Sequence, residues 1–298
     1  MRLLKLETIL VATDLTETSD AAVETAMRLA DAAGARLHVA HVASAKDEPI
    51  TDDGHRAEYE QEIKKTLERA GVTTQPKTHL ISGDRHRAIS LLADQLKADV
   101  VVLGRRGGER GSASDRPVGS TAYAFITHTL VPVLVVTRPL SIPMQKALVA
   151  IDKSEAARGS LLVALSWASA LRKRPATGAG AALTALHIDT GADPASGSAR
   201  LRRSVDHDVD VLQRNAAGWA GVTVEGLTVT NPDPVTAISQ NAVDSHAELV
   251  ILGTRASREH GETIWGSVSA AVTRRLSTPV LLVPPAIWRN HARDIDYL

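Results

Sequence analysis

Residues 98–120 read Ala-Asp-Val-Val-Val-Leu-Gly-Arg-Arg-Gly-Gly-Glu-Arg-Gly-Ser-Ala-Ser-Asp-Arg-Pro-Val-Gly-Ser, an apolar run that ends in glycines and a polar loop. Uninterrupted β-branched and aliphatic residues are typical of a strand buried on both faces of a parallel sheet. Gly104 and Gly107 can take backbone angles closed to other residues, which suits a loop that approaches a ligand. The Gly-Ser pair at 119–120 opens a helix-compatible segment that runs to residue 130. Free N–H groups and the dipole at a helix N-terminus favour phosphate, so the stretch predicts an anion site.

The same arrangement recurs near the C-terminus. Residues 247–253 read Ala-Glu-Leu-Val-Ile-Leu-Gly, and after a loop they are followed by Trp-Gly-Ser at 265–267. Gly253 lies 149 residues after Gly104, whereas Pro279 lies 147 residues after Pro132. The first copy is therefore two residues longer in the glycine loop, and the chain is a tandem repeat.

Strand and helix patterns alternate through the first copy. The sequence predicts strands at 9–13, 37–42, 78–82, 100–103 and 131–137, with helices at 21–33, 55–70, 85–96 and 121–130. Alternation of this kind predicts a doubly wound five-stranded parallel sheet with right-handed crossovers. Ligands in such sheets bind beyond the carboxyl ends of the strands, where Asp14 and Gly104 are placed.

The pattern restarts after residue 146. A predicted strand at 147–151 ends in Asp152, which corresponds to Asp14, and His187 occupies the strand position of His41. We therefore predict domains at 1–140 and 146–285 and a C-terminal tail at 286–298. Because the linker is short and contains two prolines, the domains are expected to pack as an intramolecular pseudo-dimer through their fifth strands, and a homodimer of the chain is a further expectation.

Composition narrows the function class. The chain has 298 residues, a formal net charge of zero and no cysteine. With zero net charge, the chain has no overall positive potential that would attract nucleic acid or an anionic membrane. The lack of cysteine excludes disulfides and thiolate catalysis. No apolar run reaches the ~20 residues needed to span a bilayer, and the N-terminus lacks the apolar core of a signal peptide. We expect a cytoplasmic protein that binds neither nucleic acid nor membrane.

These residues resemble the universal stress protein family, whose nucleotide-binding members carry Gly-x2-Gly-x9-Gly-Ser/Thr after the fourth strand and Asp at the end of the first. The resemblance covers both copies and implies an adenine-nucleotide α-hydrolase-like α/β fold. It further implies ATP or ADP, with Mg as its companion, adenine near the first two strand ends and phosphates on the glycine loop. The implied contact residues are Thr13, Asp14, Val42, Gly104, Arg106, Gly107, Gly119, Ser120 and Thr121 in the first copy, and Asp152, Ile188, Gly253, Arg255, Ala256, Gly266, Ser267 and Val268 in the second.

Each copy departs from the family motif in its own way. The first keeps both loop glycines, but 11 residues separate Gly107 from Gly119. The second keeps the spacing of nine, but Ala256 replaces the second glycine. Lengthening a flexible loop costs little, whereas a methyl group can hold phosphate away from the backbone. We therefore expect unequal sites, of which the first binds nucleotide better.

Simpler structural roles compete with these assignments. Gly104 and Gly253 suit either a strand-ending turn or ligand approach, and Asp14 and Asp152 suit either helix capping or an adenosine contact. Ser120 and Ser267 can cap helices or bind phosphate. The loop arginines Arg105 and Arg106 pair with phosphate or are merely solvated.

The sequence offers little for catalysis or metal binding. The eleven histidines show no recognised ligand spacing, so a structural role is predicted for His41 and His187. No nucleophile with a nearby base and no Walker lysine is present. We therefore read the chain as a nucleotide-binding sensor or regulator with an unknown protein partner. The alternatives are a scaffold that has lost nucleotide binding and a slow ATP-hydrolysing enzyme.

Overall fold

The computed structural model describes residues 4–43, 53–105, 129–152, 154–171, 181–191, 203, 206–207, 210, 222–254 and 267–291, with 53 and 54 described by backbone alone. The chain divides into two compact units. The first half is Leu6–Leu140, and the second half is Ser141–Leu298 together with Met1–Lys5. The N-terminal residues join the second half through Leu4, whose N–H donates to Ser166 Oγ at 3.2 Å.

The first half is a five-stranded parallel sheet. Its strands are β1 Thr8–Thr13, β2 Arg36–Ala43, β3 Lys77–Ser82, β4 Val100–Gly104 and β5 Val133–Val136. Its described helices are α1 Asp20–Ala33, which a short 3-10 turn at Glu17–Ser19 precedes, α2 Asp53–Arg69 and α3 Arg85–Leu96. The strand order is β3-β2-β1-β4-β5, and all four pairings are parallel. The order reverses direction between β1 and β4, which is where open α/β sheets form ligand crevices.

The second half repeats this topology. Its strands are β6 Lys146–Ile151, β7 Ala181–Asp189, β8 Val222–Thr230, β9 Leu249–Gly253 and β10 Val280–Val283. Its described helices are α4 Glu155–Ala170, α5 Pro234–Asp244, α6 Ser267–Arg275 and α7 Pro285–His291. The order β8-β7-β6-β9-β10 is again parallel throughout. The predicted tandem of doubly wound parallel sheets is thus confirmed, while the pseudo-dimer packing of the halves stays a prediction.

Local sequence explains where the helices begin and end. Asp84 starts α3 because its Oδ1 accepts the Arg87 N–H at 3.1 Å, and Ser154 Oγ does the same for Ala157 N–H at the start of α4, at 3.1 Å. Each cap satisfies a donor that has no partner inside the helix. Gly34 ends α1 with φ of 66°, a left-handed conformation that costs glycine nothing.

A carboxylate just before the fourth strand fixes the start of the first strand in each half. Asp99 Oδ2 accepts the N–H groups of Glu7 and Thr8 at 2.7 and 2.8 Å. Glu248 Oε2, 149 residues later, accepts those of Gln145 and Lys146 at 2.6 and 3.2 Å. Burial raises the pKa of Asp99, and the two backbone donors oppose that shift by stabilising its charged form.

Some predicted elements differ from the structure. The fifth strands begin one residue after Pro132 and Pro279, because proline has no N–H to donate to a ladder. Of the predicted helix 121–130, residues 121–128 lie outside the described part, and Thr129 and Leu130 are not helical. The tail predicted at 286–298 begins inside α7, which packs against α4.

None of the helices in the described ranges is both long enough and apolar enough to cross a lipid bilayer.

Two histidines make a neutral pair between β2 and β3. His38 Nδ1 lies 2.9 Å from His79 Nε2, and the rings stack with their centroids 5.2 Å apart. Burial lowers the pKa of both rings; the charge of Lys77 lowers it further for each, and His79 itself adds to the shift of His38. At a pH below the ordinary histidine pKa, these two side chains therefore bind more protons in the unfolded chain than in the folded chain.

We expect the first half to lose stability as the pH falls below about 6.5, by up to about 1.4 kcal/mol per pH unit for each proton taken up on unfolding. Hydrogen exchange of the β2 and β3 amides, corrected for intrinsic exchange, measures this loss. His79→Gln should reduce the slope. An undiminished slope in His79→Gln would refute the assignment to this pair.

Candidate functional site

The Asp14 side chain is presented at the carboxyl end of β1. It is exposed, and its Oδ1 accepts two hydrogen bonds from Thr16, from N–H at 3.1 Å and from Oγ1 at 2.7 Å. The turn thus orients Oδ1, and Oδ2 has no donor among the residues that the structure describes. Asp14 does not cap α1, whose N-cap residue is Ser19. The capping role considered from the sequence is therefore wrong for this residue.

Leu15 gives the turn after Asp14 an unusual backbone. Its φ is 65°, a left-handed value that costs a bulky side chain free energy. Three contacts hold it there. Leu15 N–H donates to Thr13 Oγ1 at 3.0 Å, Thr13 Oγ1 lies 2.7 Å from Ser19 Oγ, and Arg69 Nη2 donates to Leu15 O at 3.2 Å. Hydroxyl groups and one guanidinium thus fix the position of Asp14.

Arg69 reaches this turn from the last residue of α2. Its guanidinium forms two hydrogen bonds with the Asp20 carboxylate, at 3.0 and 2.9 Å. The bond to Asp20 is the main reason that the pKa of Arg69 is raised, so the side chain stays charged. Sequence reasoning missed this contact, because 49 residues separate the partners and no local pattern joins them.

A histidine at the end of the second strand holds the end of the first strand in both halves. His41 Nδ1 lies 2.9 Å from Thr13 O, and His187 Nδ1 lies 3.2 Å from Ile151 O. A carbonyl oxygen can only accept, so Nδ1 carries the proton and donates in each case. These bonds fix the peptide groups that precede Asp14 and Asp152. The structural role predicted for the paired histidines is confirmed.

Gly104 and Gly253 leave room for the helix that follows the first strand. A Cβ on Gly104 would lie 3.1 Å from Thr18 O, and one on Gly253 would lie 2.8 Å from both the carbonyl carbon and the Cβ of Ala156. Neither glycine has a positive φ. Close packing between strand and helix therefore requires glycine at 253 and favours it at 104, whether or not a ligand approaches them.

The second half builds a similar but distinct turn. Asp152 is exposed, and its Oδ1 accepts the Ser154 N–H at 2.8 Å. Ser154, not Asp152, caps α4. Ser267 is the first residue of α6 and is exposed, which places its hydroxyl at a helix N-terminus. Both predicted roles for Ser267 remain open, since its preceding residue lies outside the described ranges.

The remaining predicted contacts divide into those that the structure describes and those that it does not. Val42 is buried near the end of β2, Ile188 and Val268 are half-buried, and Arg105 is only 7% exposed, so it is not the solvated loop arginine considered from the sequence. Outside the described residues lie Arg106, Gly107, Gly119, Ser120, Thr121, Arg255, Ala256 and Gly266.

At the described strand ends, the Asp14 carboxylate and Gly104 therefore lie at the same edge of the first sheet. Within the described ranges, no group of three or more histidine, cysteine, aspartate or glutamate side chains is placed to hold a metal ion. Asp14, the end of β2 and Gly104 share one edge of the first sheet, as predicted from their positions at strand ends. Such an arrangement suits a small polar ligand with hydrogen-bond donors.

Solved structures resemble the chain over nearly its whole length. A universal stress protein from Archaeoglobus fulgidus DSM 4304 is 21% identical, with a TM-score of 0.69, over 95% of this chain and 100% of that chain. A functionally unknown protein from Pseudomonas aeruginosa PAO1 is 14% identical, with a TM-score of 0.64, over 97% of this chain and 96% of that chain. At these identities the likeness establishes the fold.

Shorter structures match one half at a time. A universal stress protein from Archaeoglobus fulgidus in complex with dAMP is 20% identical, with a TM-score of 0.35, over 44% of this chain and 98% of that chain. A search of curated proteins gave no match.

A family model matches the chain twice. The matched residues are 5–137 and 144–284, which together cover both halves and leave out little more than the linker and the C-terminal tail. The model is that of the universal stress protein family, the family whose motifs the sequence resembles. The protein belongs to the universal stress protein family, with two domains of that family in tandem.

Proposed function

We propose that the protein binds an adenine nucleotide, ATP or ADP, at the carboxyl edge of its first sheet and acts as a stress-response sensor or regulator. The observation that carries the proposal is the Asp14 carboxylate, whose Oδ1 is held by Thr16 while Oδ2 has no donor among the described residues. An adenosine moiety carries hydroxyl and amino donors that suit such an acceptor. Hydrogen bonds to a charged group contribute roughly 1.5–3 kcal/mol each.

The chain's own residues prepare this acceptor before a ligand arrives. The hydroxyl groups of Thr13 and Thr16 fix the turn, and His41 fixes the peptide group between Thr13 and Asp14. Holding a site in its binding conformation lowers the ordering cost of binding. The phosphates are assigned to the glycine loop, as the family motif implies. Mg, if the nucleotide carries it, needs no cluster of protein carboxylates in this proposal.

The first half is proposed as the better site. Asp14 has a carboxylate oxygen with no protein donor among the described residues, and the first glycine loop keeps both Gly104 and Gly107. In the second loop Ala256 adds a methyl group where the family has glycine. Nucleotide binding does not imply hydrolysis, which a measurement of ATP turnover would test.

We expect purified protein to release ATP or ADP on denaturation, detected by chromatography of the supernatant. In calorimetric titration of nucleotide-free protein, Asp14→Ala should weaken ATP binding by about tenfold to a hundredfold, which corresponds to one charge-assisted hydrogen bond or more. Asp152→Ala should weaken it less. Asp94 is exposed on α3, away from the strand ends, so Asp94→Ala is the matched control and should bind as the wild type does.

Two results would contradict the proposal. ATP affinity that is the same in wild type and Asp14→Ala would remove Asp14 from the site. The absence of both co-purified nucleotide and measurable titration would favour the second candidate function, a family member that acts as a protein-interaction scaffold. One observation supports that alternative, since close packing accounts for Gly253, and in part for Gly104, irrespective of any ligand.

A further inference from the structure

β3 forms one margin of the first sheet. In the described structure it pairs with β2 alone, from Lys77 opposite His38 to Ser82 opposite Ala43. The other side of β3 therefore presents main-chain N–H and C=O groups that no neighbouring described strand uses. Such an edge is a template for an additional strand unless the protein covers or disrupts it.

A cavity of about 680 Å³ runs along this margin. Five consecutive residues of β3, 78–82, line it, together with Arg56 from α2 and one face of α3. Right-handed crossovers place α2 and α3 on opposite faces of the sheet, because the chain moves outward from β2 to β3 and inward from β3 to β4. The cavity thus lies at the sheet edge with a helix wall on each side. We call it the β3 groove.

The α3 wall of the β3 groove combines apolar and cationic side chains. Leu91 is 63% exposed, the highest exposure among the large hydrophobic residues in the described chain. Leu92 and Gln95 complete this face of α3, and Leu80 and Ile81 contribute from β3. An exposed apolar wall beside a strand edge gives an added strand both side-chain contacts and main-chain hydrogen bonds.

Charges in the groove favour an acidic partner. No described residue forms an ion pair with the Arg87 guanidinium, and Arg56 makes only an exposed contact with Glu60 at 3.6 Å. Asp84 Oδ1 accepts the Arg87 N–H at 3.1 Å and lies 2.6 Å from His86 Nδ1, so the groove sets one carboxylate against two guanidinium groups and is cationic overall. Burial lowers the pKa of His79, so this ring stays neutral. Arg56 and Arg87 can therefore form ion pairs with carboxylates of a partner.

The second half lacks this chemistry at the matching positions. At the repeat offset of 149 residues, Thr236 stands for Arg87 and Gln240 stands for Leu91. Thr236 Oγ1 accepts from Arg275 at 2.8 Å, and Gln240 Nε2 donates to Asp244 at 2.8 Å. One copy of the repeat therefore carries an open apolar and cationic helix face, and the other carries short polar side chains with partners of their own.

We propose that the β3 groove binds an extended acidic segment of a partner protein, which adds to the sheet as a strand beside β3. The main chain of the segment pairs with residues 78–82, an apolar side chain packs against Leu91, and flanking carboxylates meet Arg87 and Arg56. This interaction surface is separate from the proposed nucleotide site, and its test does not depend on nucleotide binding.

The probe is a fluorescein-labelled nine-residue peptide that alternates valine and threonine between two pairs of glutamates. Fluorescence anisotropy with the full chain should show saturable binding. Arg87→Glu and Leu91→Asp should each weaken binding at least tenfold. The matched control is Gln240→Asp, which places the same carboxylate on the corresponding helix of the second half and should leave binding unchanged. A peptide N-methylated at alternate residues should lose binding, because it cannot pair with a strand edge.

Several results would overturn the proposal. These are the absence of saturable binding, equal binding of the N-methylated peptide, equal binding of a peptide with lysines in place of the glutamates, and no effect of Arg87→Glu. Sedimentation of the unliganded chain tests a different occupant. A dimer that Leu91→Asp converts to a monomer would assign the groove to a second copy of this chain and refute the partner segment.

Discussion

Gly253→Ala is expected to destabilise the second half by about 2–3 kcal/mol, the cost of forcing a methyl group into a well-packed interior. The new Cβ would lie 2.8 Å from the carbonyl carbon and Cβ of Ala156 and 3.0 Å from Ala157 N. Two of these atoms belong to the backbone of the first turn of α4, so α4 must move away from β9. The effect is therefore structural and does not need a bound nucleotide.

Tryptophan fluorescence is a suitable probe for this variant. All four tryptophans, at 167, 219, 265 and 288, belong to the second half, so urea unfolding followed by fluorescence reports on that half alone. Gly226→Ala is the matched control, since Gly226 also lies in a strand but a Cβ there would meet only a side-chain oxygen of Asp206 at 3.7 Å. It should shift the midpoint little. Equal shifts in the two variants would refute the packing explanation.

The corresponding change in the first half should be milder. A Cβ on Gly104 would lie 3.1 Å from Thr18 O and 3.4 Å from Ser19 Cα, so the turn before α1 needs to move by only a few tenths of an ångström. That turn also positions Asp14. A change in packing at Gly104 would therefore also move the turn that carries Asp14. For this reason the glycine suits both a structural and a ligand-related interpretation.

Trp288→Ala is expected to lower the stability of the second half by about 3 kcal/mol or more, as for other buried tryptophans. Trp288 is 7% exposed and anchors α7 on α4, where Gly159 gives it room. A Cβ on Gly159 would lie 3.4 Å from Trp288 N, and the Arg158 guanidinium lies 5.8 Å from the centre of the indole ring. Removing the ring leaves a cavity beside α4 that the rigid helix cannot fill.

Thermal unfolding by circular dichroism measures this effect as a decrease in Tm of about 6 °C or more for a unit of this size. Arg289→Ala is the control. Arg289 pairs with Glu155 at 2.6 Å, but both side chains are largely exposed, and such pairs contribute about 0–1 kcal/mol. If Arg289→Ala is as harmful as Trp288→Ala, the ion pair and not the indole ring holds α7 in place.

The two proposals assign different surfaces of the first half to different ligands. Asp14 lies at the carboxyl edge of the sheet, whereas the β3 groove lies along its margin, and β2 separates β3 from β1. Asp14→Ala should leave peptide binding unchanged, and Arg87→Glu should leave ATP binding unchanged. Failure of one proposal therefore does not decide the other. A regulator needs both a signal and a partner, which these two sites would supply.

The sequence by itself determined the order of strands and helices, the tandem repeat and the family. The predicted helix at 85–96 matches α3, and the predicted helix at 21–33 matches α1 to within one residue. These features are local, because a hydrophobic period, a capping side chain or a glycine acts within a few residues of its own position. The ends of the first strands can be predicted from local sequence in the same way, and this prediction puts Asp14 and Asp152 at the sheet edge.

Tertiary structure alone decided what those residues touch. Gly253 is required by the approach of Ala156, Leu15 is held by Arg69 from α2, and the histidine at 41 fixes the carbonyl group of Thr13. Each contact joins residues far apart in the chain, and the contribution of each depends on distances that no sequence pattern encodes. The β3 groove has the same origin. Its strand edge, two helix walls and arginines become one surface only when the sheet has formed.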